Sequence, residues 1–198
     1  MQAQAATLAD LDAVVDVLTD AFVDDPVMAW AFDRAVRPRR LAGLWRFMAV
    51  EGYLPRGRCT LAGPSSGAAL WLGPGEELDE AFWDARAALF VSALEGDIEC
   101  LGALGREMAA HHPSVDHWYL LSIGVHPATQ GRGVGGALLA YTLGQVDDAR
   151  QAAYLEATSP RSRALYERFG FEVTEEFAAA GSPALWGMWR EPRRASRA

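Results

Sequence analysis

The chain has 198 residues with a formal net charge of −8, and 51% of its residues are hydrophobic, which fits one domain with a sizeable apolar core. This negative balance argues against a nucleic-acid partner, because such a partner requires a basic surface. All eighteen positive residues are Arg, so a Walker-type phosphate lysine and Schiff-base chemistry are excluded.

The sequence gives little indication of membrane insertion, secretion or disulfide formation. No apolar stretch approaches the roughly 18 residues that a membrane helix requires. Asp10 and Asp12 stand where a signal peptide would be apolar. The two cysteines, Cys59 and Cys100, are too few for a disulfide framework. We therefore expect a reduced, cytoplasmic protein with no membrane partner.

The first half of the chain is predicted to be mostly helical. Asp10 can cap a helix, and Pro26 ends the apolar spacing that follows it. The spacing and the Gly and Pro residues predict these elements: a helix over 11–22, a helix over about 38–53, a hairpin with its turn at 63–67, and two helices over 78–110 with a break near Gly96.

The second half alternates strands and helices. The predicted elements are a strand over 118–125, a glycine loop with a helix to about 150, a strand over 152–158, a helix from Pro160 to Gly170, and two last strands around a Gly-Ser-Pro turn. A strand–helix–strand unit requires a parallel pair, so we expect an α/β fold with a mixed sheet. Residues 1–190 are expected to form one domain, and the basic segment 191–198 a disordered tail.

The glycine loop carries the strongest chemical signal. Four glycines lie between Gly131 and Gly136, at the start of a helix, where each costs about 1 kcal/mol relative to Ala. The first amides of a helix have no intrahelical partner, and the helix dipole adds positive charge. We infer that a diphosphate approaches this backbone, with Arg132 as a mobile charge.

A dinucleotide-binding Rossmann site is the alternative for this loop. Residues 131–136 match G-x-G-x-x-G, and Glu156 follows at a suitable distance. In that motif, however, the first glycine lies where the strand turns into the helix. Here five residues separate Val125 from Gly131, and too few residues follow Glu156 for a second nucleotide-binding half. The Rossmann interpretation is therefore the weaker one.

Two motifs in the chain resemble the GNAT N-acetyltransferase superfamily. Gln130-Gly131-Arg132-Gly133-Val134-Gly135, after "IGVHP", is similar to the acyl-CoA-binding signature Q/R-x-x-G-x-G/A. The later "ALYERFGFE" looks like the last helix and strand of that family. The wider layout, with "AFVDDP", "ALWLGP" and "YLEATSPRSRALYERFGF", looks similar to antibiotic N-acetyltransferases of the puromycin acetyltransferase type.

The resemblance implies a mostly antiparallel sheet, flanked by helices, whose central parallel strand pair splays apart. It implies that acetyl-CoA lies in this gap, with pantetheine on the backbone of one strand and pyrophosphate on the glycine loop. The residues expected to bind the cofactor are Ile123, Gly124, Val125, Gln130, Gly131, Arg132, Gly133, Val134, Gly135, Gly136, Ser159 and Ser162.

The resemblance also implies a general acid. Tyr166 matches the family's tyrosine that protonates the departing thiolate, and the alternative is a core aromatic on the same helix. The general base is left open, with Glu156 as the leading candidate among these residues: Glu156, Glu51, Asp24, Asp25 and His117.

The expected reaction is acetyl transfer from acetyl-CoA to the primary amine of a small molecule. The pocket is expected near Asp24, Asp25, Trp30 and Trp71, where acidic groups suit a cationic amine. The alternatives are a non-catalytic acyl-CoA-binding or sensing domain and a protein N-acetyltransferase. The histidines and cysteines lack zinc-site spacing, so no metal is expected. A monomer and a homodimer are both compatible with the sequence.

Overall fold

The fold is known from a computed structural model that describes residues 2–96 and 98–192. Its strands are β1 (Ala3–Ala5), β2 (Cys59–Ala62), β3 (Gly67–Leu72), β4 (Trp118–Val125), β5 (Ala153–Ala157), β6 (Glu172–Phe177) and β7 (Leu185–Arg190). Its α-helices are α1 (Leu11–Phe22), α2 (Pro26–Ala31), α3 (Arg37–Phe47), α4 (Glu80–Leu94), α5 (Glu99–His111), α6 (Val134–Ala149) and α7 (Pro160–Arg168). Residues 193–198 of the predicted tail lie outside the described residues.

The strands form one mixed sheet in the order β1-β2-β3-β4-β5-β7-β6. Only β4 and β5 run parallel among these neighbours, which confirms the mostly antiparallel sheet with a central parallel pair. Their pairing stops at Leu120 and Leu155, whereas β4 stays paired with β3 as far as Val125. The two parallel strands therefore separate toward their carboxyl ends, as expected. A bulge at Leu121 shifts the register of β4 at this point.

Helices cover both faces of the sheet. The α1 face packs against α1 to α5 through a core that includes Leu18, Leu41 and Leu70. The α6 face packs against α6 and α7 through a second core that includes Leu138 and Leu155. Because the parallel strands separate between these two cores, groups on either face can reach the gap.

Most predicted elements are confirmed, with some differences. The second predicted helix is α3 followed by a π-helical stretch, Met48–Tyr53, and β1 is too short to have left a pattern in the sequence. Asp10 stands at the N-cap position of α1 as predicted, but its carboxylate accepts from the Thr7 N–H at 2.8 Å and makes no hydrogen bond to an α1 amide. No helix among the described residues is long and apolar enough to cross a membrane.

Candidate active site

The glycine loop lies between the end of β4 and the start of α6. Gly131 and Gly133 have φ values of 76° and 80°, a left-handed conformation that favours glycine. A Cβ at either position would meet no atom within 4 Å beyond its chain neighbours. The first α6 bond runs from the Ala137 N–H to the Gly133 carbonyl, so the amides of residues 134–136 have no intrahelical partner. The loop therefore leads into three backbone donors that have no intrahelical partner.

The other two glycines of the loop lie beside α7. A Cβ on Gly135 would lie 3.4 Å from a Leu165 methyl, and one on Gly136 would lie 3.5 Å from the Phe169 ring. Both neighbours belong to α7 or to its C-terminal end. Contacts of this length would also admit a Cβ, so the cofactor-binding role predicted for Gly135 and Gly136 stays a prediction.

Side chains of the loop tie it to the adjacent strands. The Gln130 Nε2 donates to the Val125 carbonyl at 3.2 Å, across the loop. The Thr129 hydroxyl is 3.0 Å from the Ser66 and His126 carbonyls. These contacts hold the loop in place while the Arg132 side chain remains exposed.

The strand and helix residues predicted to contact the cofactor lie beside this loop. Ile123 and Val125 pack on the α6 face, whereas the missing side chain of Gly124 lets α1 approach, since a Cβ there would lie 2.9 Å from Leu18. Ser159 and Ser162 form a capping box at the start of α7, each accepting from the other's N–H at 3.1 and 3.2 Å. The capping box accounts for the two serines, and their contact with a cofactor stays a prediction.

Tyr166 lies on α7 and is 6% exposed within the core of the α6 face. Burial, with the nearby Asp25 carboxylate, raises the pKa of Tyr166 above its usual value. The phenol is therefore protonated at neutral pH, which a general acid requires.

Asp25 connects two loops near Tyr166. Its Oδ1 accepts from the Val27 and Met28 amides at 2.9 and 3.1 Å, which caps α2. Its Oδ2 accepts from the Thr158 hydroxyl at 2.6 Å, just after β5. Burial raises the pKa of Asp25 although these hydrogen bonds oppose the shift. The contact fixes the α1–α2 loop against the end of β5.

Glu156 lies on β5 with its side chain on the α1 face. Its Oε2 accepts from the Tyr119 hydroxyl at 2.8 Å, and its Oε1 is buried with no hydrogen-bond partner among the described residues. Burial raises the pKa of Glu156 to about 7, although the Tyr119 hydrogen bond lowers it. Such a value is what a general base at neutral pH needs.

Three phenols that sequence reasoning missed lie near Glu156, and the His112 imidazole packs against two of them. Tyr53, Tyr119 and Tyr154 are buried, and burial followed by the Glu156 charge raises the pKa of each. Burial next to His117 lowers the pKa of His112 to about 4. The one signal in the sequence was that Tyr154 and Glu156 alternate on one strand face. The other residues come from distant segments.

The remaining predicted pocket residues do not form one group. Asp24 is exposed, and the Trp30 indole lies at the β6–β7 loop, 3.6 Å from where a Gly181 Cβ would be. Trp71 is 1% exposed in the core of the α6 face, so the structure separates it from Trp30 and Asp25. Glu51 pairs with Arg86 at 2.9 Å.

No group of three or more potential metal ligands occurs within residues 2–96 and 98–192.

His117, another base candidate, has its Nδ1 2.6 Å from the Val115 carbonyl, while its Nε2 is buried without a partner among the described residues. Geometry thus favours Glu156 over His117 as a proton acceptor, because Glu156 lies nearer to the strand gap.

Comparison with known proteins agrees with this geometry. Residues 85–173, from α4 into β6, match the model of the acetyltransferase (GNAT) domain. An uncharacterized N-acetyltransferase of Schizosaccharomyces pombe is 28% identical over 214 aligned positions, covering 100% of this chain and 86% of that protein.

Solved structures share the fold over nearly the whole chain. A histone acetyltransferase HPA2 and related acetyltransferase from Corynebacterium glutamicum has a TM-score of 0.74 and 27% identity, with 99% of this chain and 98% of that chain covered. A Drosophila melanogaster polyamine N-acetyltransferase, which forms N-acetylagmatine, has a TM-score of 0.61 at 15% identity, with 96% and 98% covered. The second likeness shows the fold alone.

Proposed function

We propose that this chain, in which residues 85–173 match the model of the acetyltransferase (GNAT) domain, transfers the acetyl group of acetyl-CoA to the primary amine of a small molecule. The observation that carries the proposal is the position of the loop amides of residues 134–136, next to the point where β4 and β5 separate. An anion-binding backbone and an unpaired strand edge thus adjoin each other.

The residues present suit acetyl-CoA. The amides of residues 134–136 and the exposed Arg132 would hold its diphosphate, and the open space above Gly131 and Gly133 would admit it. The edge of β4 beyond Leu120 has lost its β5 partner, so its backbone groups are available to pantetheine. When bound, acetyl-CoA supplies a thioester that an amine can attack.

Glu156 would act as the general base. An alkylammonium group with a pKa near 10 is only about one part in a thousand neutral at pH 7, which costs about 4 kcal/mol if nothing accepts its proton. A carboxylate whose pKa is about 7 can take that proton and release it again. Its unpartnered Oε1 leaves one acceptor site for the amine.

Tyr166 would act as the general acid from the other face of the sheet. It packs in the core of the α6 face, whereas Glu156 bonds to Tyr119 on the α1 face. The acid and the base therefore flank the strand gap from opposite sides, so the amine and the leaving thiolate meet different residues. A proton can leave the amine while another reaches sulfur.

The acceptor is a small cationic amine, on the strength of the negative net charge and the buried carboxylates. The likeness of the sequence to puromycin-type enzymes supports an antibiotic-like amine. The likeness in fold to an enzyme that makes N-acetylagmatine is the reason to include guanidino amines among the substrates assayed. We propose this substrate class over protein N-termini.

A thiol-release assay with acetyl-CoA tests the proposal against puromycin, agmatine, an arylalkylamine and a peptide with a free N-terminus. We expect coenzyme A to bind in calorimetry and thiol to appear with at least one small amine. Binding without thiol release across the panel would instead support an acyl-CoA sensor. Release with the peptide alone would identify a protein acetyltransferase.

A further inference from the structure

We propose that Tyr154 and Glu175 carry the substrate proton from Glu156 to solvent, through a route on the α1 face; this proposal rests on the proposed function, with Glu156 as base. The route crosses from β5 past β7 to β6, and it passes Gly187, which has no side chain. It ends at a surface cavity beside His111.

The route answers a need that burial creates. A general base must lose its proton before the next turnover. Oε2 bonds to Tyr119 and Oε1 is buried, so neither oxygen can pass the proton directly to water while the product occupies the strand gap. The proton therefore has to pass through a neighbouring group that reaches water.

The register of the sheet provides this neighbour. Glu156 on β5, Gly187 on β7 and Glu175 on β6 lie in one row. Strands are about 4.8 Å apart, so the two glutamates are about 10 Å apart at their backbones, too far for direct transfer. The missing side chain of Gly187 leaves room between them.

The Tyr154 hydroxyl fills this room. A Cβ on Gly187 would lie 2.8 Å from the Tyr154 oxygen and 3.2 Å from Glu175 Cγ. The hydroxyl is buried and has no hydrogen-bond partner in the part of the chain described. After burial itself, the charges of Glu156 and then Glu175 raise the pKa of Tyr154, so the phenol keeps its proton.

Glu175 connects this buried phenol to solvent. Its side chain is 38% exposed, and its Oε2 lies 2.8 Å from His111 Nδ1. His111 stacks on Phe177 with ring centroids 4.3 Å apart, so it is a positioning residue for Glu175. Both His111 and Glu175 line an open cavity of about 330 Å³, together with Trp189. The cavity provides water as the final acceptor.

Each transfer moves one proton and leaves no charge on tyrosine. Protonated Glu156 donates to the Tyr154 oxygen while the Tyr154 hydroxyl gives its own proton to Glu175. Glu175 then releases its proton to water, and the Tyr154 hydroxyl turns back toward Glu156. The other titratable or charged groups facing this route are Tyr53, Arg56, Tyr119, His112 and His117.

The test compares the first turnover with steady-state turnover in Tyr154→Phe, which removes only the hydroxyl. At a pH where Glu156 is ionised in both proteins, we expect a first turnover near the parent rate, followed by a steady state slower by at least about tenfold, with kcat/KM for acetyl-CoA unchanged. Gly187→Ala should act in the same way, because its Cβ would displace the Tyr154 oxygen. Tyr141→Phe, on α6, is the matched control and should match the parent.

A second variant tests the exit without risk to the core. Glu175→Ala should slow steady-state turnover, and formate should restore it by taking the place of the carboxylate in the open cavity, whereas formate should not restore Tyr154→Phe. The exposed Glu172→Ala on the same strand is its control. Unchanged turnover in both Tyr154→Phe and Glu175→Ala would overturn the route and leave the proposed function standing. A parent protein without activity toward any amine would remove both.

Discussion

The two faces of the sheet build their parts of the site in different ways. The α6 face would contribute the backbone amides of residues 134–136, and the shape of the loop before them depends on Gly131 and Gly133. The α1 face would contribute a carboxylate whose pKa is raised by burial and lowered by the phenols of Tyr119 and Tyr154, which lie far apart in the chain. Anion binding can thus be encoded locally, whereas tuning a pKa requires the assembled fold.

Burial acts on both faces with opposite chemical results. It keeps Tyr166 protonated on the α6 face and lets Glu156 exchange its proton near neutral pH on the α1 face. The same desolvation therefore suits Tyr166 to the proposed role of acid and Glu156 to the proposed role of base, since each group is pushed toward its neutral form. Variants that remove one titratable group at a time separate the two contributions.

The largest effect is expected for Glu156→Gln. It keeps the shape of the side chain but cannot accept a proton, so kcat should fall by about 10²–10⁴-fold. In the parent, kcat/KM should rise with pH through about 7 as Glu156 ionises, and the variant should lose this rise. A pH profile of both proteins provides the measurement. An unchanged profile would assign the base role elsewhere.

Tyr166→Phe should have the next largest effect, and this effect should be limited to the chemical step. Without the phenol proton, kcat should fall by about 100-fold, at the lower end for a general acid. The affinity for coenzyme A should stay within twofold of the parent by calorimetry, about 0.4 kcal/mol at most, because the loop amides are untouched. Loss of coenzyme A binding in this variant would show a packing role for Tyr166.

The stability of Glu156→Gln should change in the direction opposite to its activity. The folded pKa of about 7 lies above the ordinary 4.5, so the folded state binds more protons between these values, and the free energy of unfolding falls as pH rises from about 4.5 to beyond 7. At pH 8 the variant should be more stable by about 2 kcal/mol, below the full linkage value since a buried amide also needs partners. Urea unfolding at pH 5 and pH 8 measures this, and equal pH slopes would contradict it.

The sequence supports prediction where the cause is local. The α4–α5 break at Gly96, the hairpin turn at 63–67 and the end of α1 before Pro26 follow from residues that lie at those places. The position of β7 between β5 and β6 does not, because any antiparallel neighbour satisfies the same alternation. Local pattern predicts elements, and tertiary packing decides their order.

The site shows the same division. Gly131 and Gly133 were recognisable because a left-handed backbone leaves a mark in the sequence. Trp71 was assigned to the substrate pocket, yet it packs in the α6-face core, since an aromatic residue in a strand carries no sign of which face it occupies. The Tyr119 contact to Glu156 spans two strands and could not be read from either segment.

The smallest effects compare two glycines within the loop itself. Gly133→Ala places a Cβ on a residue with φ of 80°, which should cost about 1–2 kcal/mol of stability and weaken coenzyme A binding. Gly135→Ala places a Cβ at an ordinary 3.4 Å contact with Leu165 inside α6, where Ala gains up to about 1 kcal/mol in helix propensity. Urea unfolding should therefore give changes of opposite sign for the two variants. Equal losses in both would mean that α7 requires a glycine at 135, and that packing on the α6 face is tighter than the 3.4 Å contact indicates.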